Sequence, residues 1–343
     1  MRIALDALGS DRHPEVEVQG AVAALREVPG DFEIVFVGDR ATIEPALAQA
    51  DAGEVAARIS IVHATERIEA GEPPASAVRR KRDSSIVVGL NLQKQGEADA
   101  FVSAGSTGAV MAASLLMLRP LPGVDRPTVA TILPTAGDPI VMVDAGANVD
   151  SKPYHLVDWA RLGAIYAEDV LRRDRPRVGL LNIGEEPEKG NELAVEAYRL
   201  LENAGLNFVG NVEGRDIVTG ACDVLVTDGF AGNVLLKFYE SIASFMVKLI
   251  RKELAMQDAD VHLDRVFSLL DYTEYGGAPL LGVDGISIIC HGGSPPRAIK
   301  GALRVAAQAY DTGMVADMKA TLSAAAEAAP ARPAATGTAG GSA

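Results

Sequence analysis

Short, nearly unbroken apolar runs alternate along this chain with longer stretches in which apolar residues return every three or four positions. The runs have strand length and fall at 2–8, 32–38, 58–64, 99–104, 128–133, 140–145, 177–183, 206–212, 222–228 and 285–291. Helical periodicity lies between them, as at 14–27, 75–95, 106–118, 155–172, 189–203 and 231–254. A strand buried on both faces reads as a continuous apolar run, because neither side of its pleat meets water. Such strands separated by helices predict a mostly parallel sheet covered on both faces, a three-layer α/β/α sandwich. Residues 1–322 are expected to form one domain of this kind. From Ser323 the chain turns Ala-, Pro- and Gly-rich with almost no large apolar side chains. Such a segment buries too little surface to offset its ordering entropy, which predicts a disordered tail over 323–343.

Composition narrows the class. With 343 residues, 48% of them hydrophobic, the chain can bury a large core. No apolar run approaches the roughly 18 residues of a membrane span. The N-terminus opens as a strand rather than as a signal peptide, and Cys222 and Cys290 stand alone, outside any CxxC spacing. This points to a reducing cytoplasm and away from a disulfide framework or thiolate metal site. A formal charge of −14 argues against wrapping nucleic acid. An acidic partner would need a local basic island, and Arg79, Arg80, Lys81 and Arg82 supply one. The alternative is a solvated charge cluster.

The turns that leave the strands share a chemistry. They read DALGSDRHPE, SAGSTGA, DAGANVDSKP, NIGEEPEKGNE, GNVEGRD, TDGFAGNV and HGGSPPRA. Glycine permits close backbone approach, and a helix start offers unpaired N–H groups at the positive end of its dipole. Together these make anion sites. Each turn taken singly also reads as an ordinary glycine turn followed by an N-cap. Seven on one sheet edge, the expected placement in a parallel sheet, favour a shared anion site. None matches GxxxxGK[ST], GxGxxG or GxSxG.

Several stretches, among them SAGSTGA, GVDRPTVATILPT, DAGANVDSKPYHL, VGLLNIGEEPEKGNELAVEAY, DVLVTDGFAGNVLLK and EYGGAPLLGVDG, resemble the phosphate acyltransferases. The resemblance runs in order from Met1 to about Ala320, apart from a stretch near 250–270. It implies a fold related to phosphotransacetylases and the isocitrate-dehydrogenase class. It also implies transfer of a fatty acyl group from acyl carrier protein to inorganic phosphate, without a cofactor, by a homodimer serving phospholipid synthesis. A downstream glycerol-3-phosphate acyltransferase would consume the acyl phosphate. Some members touch the membrane through an apolar hairpin. Here Leu263, Val266, Phe267, Leu269 and Leu270 offer a modest apolar face with the same alternative use as interface or core. A phosphotransacetylase on short acyl-CoA, an isocitrate-type dehydrogenase and a non-catalytic carrier-binding scaffold are the competing readings.

Phosphate attack on a thioester needs no covalent nucleophile; it needs an anion held beside a carbonyl that becomes an oxyanion. Gly105, Ser106 and Thr107 would give N–H and hydroxyl donors, with Ser106 standing where the family usually has Asn. Lys152 is a loop cation or a solvated surface lysine, with Asn148 beside it; Arg126 binds phosphate or braces a turn. Asn211, Arg215, Asn233 and Lys237 complete the proposed binding set. Asp228 orients or deprotonates phosphate, or caps a helix; His291 is an acid for the departing thiolate, or a structural histidine. The first loop departs from the family pattern at Ser10, Arg12 and His13, leaving Asp6 and Asp11 as minor candidates. Mixed Glu/Lys spacing in NIGEEPEKGNE is poor evidence for a metal, and none is expected.

Overall fold

A computed structural model of the chain describes residues 1–256 and 276–328. Its strands are β1 (Arg2–Asp6), β2 (Glu33–Gly38), β3 (Ile59–His63), β4 (Ala100–Ser103), β5 (Thr128–Leu133), β6 (Ile140–Val143), β7 (Val178–Asn182), β8 (Phe208–Glu213), β9 (Val224–Val226), β10 (Ala278–Leu281) and β11 (Ile286–Ile289). Its α-helices are α1 (Glu15–Glu27), α2 (Arg40–Gln49), α3 (Pro74–Arg80), α4 (Ser85–Lys94), α5 (Thr107–Met117), α6 (Pro153–Asp169), α7 (Glu192–Glu202), α8 (Gly229–Met256), α9 (Pro296–Asp311) and α10 (Met314–Ala328).

The strands form one sheet in the order β3-β2-β1-β4-β11-β10-β5-β6-β9-β7-β8. Strand alternation sorts the core into two layers. Ile3 and Leu5 of β1, Ile34 and Phe36 of β2, and Val141 and Val143 of β6 face the layer under α1, α6 and α9. Ala4, Val35, Val37, Ile140 and Met142 face the opposite layer, with Ile86 and Leu90 of α4 and Val110 of α5. Both faces are covered, which is why these strands carry almost no polar residues. The result is the expected three-layer α/β/α sandwich.

Direction within the sheet is less simple than a parallel pattern implies. Strands β3, β2, β1, β4 and β11 are mutually parallel, as are β6, β9, β7 and β8. Between these groups lie three antiparallel steps, β11–β10, β10–β5 and β5–β6. An odd number of reversals sends the second group the opposite way. The seven turns therefore do not share one sheet edge, contrary to the sequence expectation.

Three local differences have plain causes. The expected helix over 75–95 is two helices, because the chain turns after Arg80 and Ser84 Oγ restarts it by accepting the Val87 N–H (3.4 Å). Strand β10 carries no strand signal: its four residues include Pro279 and follow Gly276 and Gly277. Helix α10 continues to Ala328, so the tail boundary expected at Ser323 falls inside a helix. Ala has the highest helix propensity, and the Ala-rich run simply extends α10. The rest of the expected tail lies outside the described residues, as do Leu263, Val266, Phe267, Leu269 and Leu270. Among the described residues no helix is long and apolar enough to cross a membrane.

Candidate active site

Strand β4 ends in Ser103, and SAGSTG carries the chain into α5. The loop is fixed from below by a relay. Ser103 Oγ donates to the buried Asp6 Oδ2 (2.6 Å) and accepts the Gly105 N–H (3.0 Å), while Asp6 Oδ1 accepts the Leu8 N–H (3.0 Å). Burial pushes the Asp6 carboxyl above the usual aspartate range, although Ser103, Ser85, the Leu8 amide and Arg67 all favour its charged form. A Cβ on Gly9 would lie 2.8 Å from Gly105 N, so the two loops touch backbone to backbone. This close approach explains the small residues. At the start of α5, Ser106 Oγ accepts the Ala109 N–H at 3.4 Å. The N–H groups of Thr107 and Gly108 have no partner among the described residues. This helix start is therefore open for an anion.

On the other side of the seam, the turn after β6 is organised by Asp144. Its carboxylate accepts hydrogen bonds from Thr128 Oγ1, the amides of Val129, Ala147 and Asn148, and Asn148 Nδ2, at 2.7–3.1 Å. Burial raises its pKa, opposed by the hydrogen bonds from Ala147, Val129 and Asn148. The start of α8 packs against this turn without a gap: a Cβ added at Gly232 would run into the Asp144 carbonyl oxygen.

A cavity of about 340 Å³ opens at the seam. Its polar lining includes Thr107 from α5, Asn233, Lys237 and Glu240 from α8, and His291 and Ser294 after β11. Val129, Ile132, Leu236 and Ile289 contribute an apolar wall. Lys237 Nζ donates to Glu240 Oε2 at 2.9 Å. His291 Nδ1 accepts the Gly293 N–H at 3.1 Å, so the neutral ring carries its proton on Nε2. That arrangement leaves Nε2–H as a hydrogen-bond donor.

The structure thus brings together Thr107, Asn233, Lys237 and His291, with Gly105 and Ser106 in the supporting turn. The other predicted residues are engaged elsewhere. Asp228 caps α8, its Oδ1 accepting the N–H groups of Phe230 and Ala231 at 3.0 Å. The Asn148 amide is spent on Pro127 O and Asp144. Arg126 braces a turn, Nη1 donating to Asp150 O (2.8 Å) while Trp159 Nε1 donates to its carbonyl. Lys152 precedes α6 and stacks its ammonium 5.8 Å from the Tyr154 ring. Asn211 Nδ2 donates to Glu186 O, and Arg215 is ion-paired with Glu213, Glu185 and Asp216. Those three acids come close enough to suggest a metal, but the guanidinium already supplies their positive charge. Asp11 lies beside the last loop, its amide donating to Gly292 O. In the basic island, Arg80 and Lys81 are paired with Glu72, and Lys81 also donates to Arg67 O. Arg79 and Arg82 are exposed and make no ion pair among the described residues.

Comparison with known proteins agrees with this picture of the fold. A family model described as "Fatty acid synthesis protein" matches residues 1–317. The chain is 49% identical over 329 residues to a phosphate acyltransferase of Desulforamulus reducens, spanning 94% of this chain and 97% of that one. Among solved structures it is similar to a phosphotransacetylase from Streptococcus pyogenes, with TM-score 0.61, 18% identity and coverage of 90% and 93%. A branched-chain phosphotransacylase from Enterococcus faecalis V583 gives TM-score 0.57 at 16% identity, covering 92% of this chain and 99% of that one. At such identities these two likenesses speak for the fold alone.

Proposed function

The chain belongs to the phosphate acyltransferase family, and on that premise we propose that it moves a fatty acyl group from the thioester of an acyl carrier protein to inorganic phosphate. A phosphate oxygen attacks the carbonyl carbon, the C–O bond forms and the C–S bond breaks. The proton of hydrogen phosphate ends on the departing sulfur, giving acyl phosphate and free carrier thiol. Atoms and charge balance without a cofactor.

The observation that carries this reading is a single cavity joining an open helix start, a lysine, a histidine and an apolar wall. Phosphate sits against the free N–H groups of Thr107 and Gly108, with Lys237 and Asn233 as side-chain donors. His291 offers its Nε2–H to the carbonyl oxygen as charge develops there. The first carbons of the acyl chain lie along Val129, Ile132, Leu236 and Ile289. The carrier protein docks on the exposed Arg79 and Arg82. A second copy of the chain packs on α8, where Phe230, Val234, Phe238, Ile242, Phe245 and Leu249 are exposed at spacings of three and four residues. The product passes to a glycerol-3-phosphate acyltransferase at the inner face of the membrane.

The test follows free thiol from palmitoyl-carrier protein with and without phosphate, and from acetyl-CoA in parallel. Phosphate-dependent release from the carrier thioester is expected. Release that ignores phosphate, or a preference for acetyl-CoA, overturns the proposal.

A further inference from the structure

We propose that Glu240 makes the cavity selective for an oxyanion that still carries a proton, so that phosphate is accepted and sulfate is rejected. The inference rests on the reading that phosphate is the acyl acceptor, and deepens it. Its starting point is an oddity: a carboxylate lines a cavity otherwise furnished for an anion. Glu240 lies three residues after Lys237 on α8, and both line the cavity with Thr107 and Asn233. The Glu240 side chain is partly buried, 21% exposed, so solvent screens it incompletely.

An ionised carboxylate only accepts hydrogen bonds. Glu240 Oε2 takes one from Lys237 Nζ, and Oε1 takes none among the described residues. The lysine ammonium has three N–H bonds and spends one here, leaving two for a ligand. An oxyanion held by those two and by the start of α5 sets an oxygen against the carboxylate. If that oxygen bears hydrogen, the contact is an O–H···O⁻ hydrogen bond, among the stronger kinds. If it does not, two acceptors of like charge face each other, and the contact repels. Near neutral pH both common forms of inorganic phosphate keep a P–OH group. Sulfate has no such proton to give. Glu240 therefore reads protonation state rather than size or charge, and specificity comes from the repulsive element as much as from the attractive one.

The experiment measures, on the full chain, KM for phosphate, KM for arsenate and the inhibition constant of sulfate in the thiol-release assay. Arsenate keeps an As–OH group and serves as the matched control. In the Glu240→Gln variant the preference for phosphate over sulfate is expected to narrow by at least about tenfold, because the amide can donate to an unprotonated oxygen. The phosphate-to-arsenate ratio is expected to stay within about twofold. Titration calorimetry with phosphate and sulfate gives the same ratio if turnover of the variant is too slow. Equal tightening of all three anions would mean that Glu240 merely neutralises Lys237, and that result overturns the inference. An unmoved ratio does so too. Phosphate dependence of the wild-type protein is read in the same assay: its absence defeats the proposed function itself, whereas its presence with an unmoved ratio defeats this inference alone.

Discussion

In the proposed reaction Lys237 and His291 divide the work of the cavity in a way that kinetics can separate. On that proposal Lys237 meets the phosphate before and during reaction, so its loss should be felt chiefly in binding. A hydrogen bond to a charged group contributes about 1.5–3 kcal/mol. Lys237→Ala should therefore raise the KM for phosphate roughly ten- to a hundredfold, in initial rates at saturating thioester, with the KM for the thioester nearly unchanged. His291, in the same proposal, faces charge that appears only as the carbonyl is attacked. By analogy with a lost oxyanion donor, His291→Ala should lower kcat by about 10²–10³ with little effect on the KM for phosphate. A fall in phosphate affinity as the main effect of His291→Ala would assign it to ground-state binding instead. At this scale the sequence was half legible. Thr107, Asn233, Lys237 and His291 stood out because glycine-rich turns before helices mark anion sites. Glu240, Ser294 and Asp144 did not, because a carboxylate or hydroxyl becomes notable only once one knows which helix face or strand end meets the cavity. Asp228, Asn148 and Arg215 looked equally suitable, but local caps, turns and ion pairs had first use of their polar atoms.

Elements hold these side chains in place, and two contacts test how firmly. The Cβ that Gly232→Ala would add meets Asp144 O, a backbone atom in a turn already fixed by five hydrogen bonds. Neither partner can rotate away, so α8 must lift from the turn. A loss of about 1–3 kcal/mol in urea unfolding is expected, with a larger fractional loss of activity because Lys237 moves too. Unchanged stability would show that α8 is not seated on this turn. The second contact ties the 125–128 segment to α6: His155 Nε2 donates to Asp125 Oδ2 (2.8 Å) while His155 Nδ1 accepts the Lys152 N–H (3.0 Å). The His155 hydrogen bond, aided by Tyr154, holds the Asp125 carboxyl below the usual aspartate range despite some burial. The unfolded chain then binds more protons in this window, so stability rises with pH there. The contribution is complete above about pH 4 and fades as pH falls through the depressed value. Asp125→Asn should flatten this acid limb in thermal melts, modestly, since the carboxylate is half exposed and screened. Strand positions were legible outside β10 because double-sided burial leaves continuous apolar runs. Strand direction was not: Val-Ile-Leu periodicity is the same forwards and backwards, and the short β10, which begins the three reversals, carries too few residues to announce itself.

For the molecule as a whole, the strand order of the sheet and the net charge set how substrates arrive. Because β7 and β8 lie at the outer edge of the sheet, beyond β6 and β9, the turns after them are removed from the cavity, and with them Asn211 and Arg215. What remains is a site at the seam, on a protein of net charge −14. On the proposed function, a strongly acidic carrier protein meets general repulsion on approach, and long-range attraction must come from a local excess of positive charge. Of the four residues in the basic island, Arg80 and Lys81 share the single negative charge of Glu72, so the two cations without an ion pair among the described residues are Arg79 and Arg82. Reversing both, Arg79→Glu/Arg82→Glu, should raise the KM for acyl carrier protein by about tenfold at low salt, mainly by slowing association. At 0.1 M ionic strength charges are screened over about 10 Å, so the difference from wild type should shrink steadily as salt is added. The KM for phosphate, read in the same reactions, should not move, because the cavity's own cation is Lys237. A KM for the carrier protein that is indifferent to both the double reversal and salt would place the docking surface elsewhere.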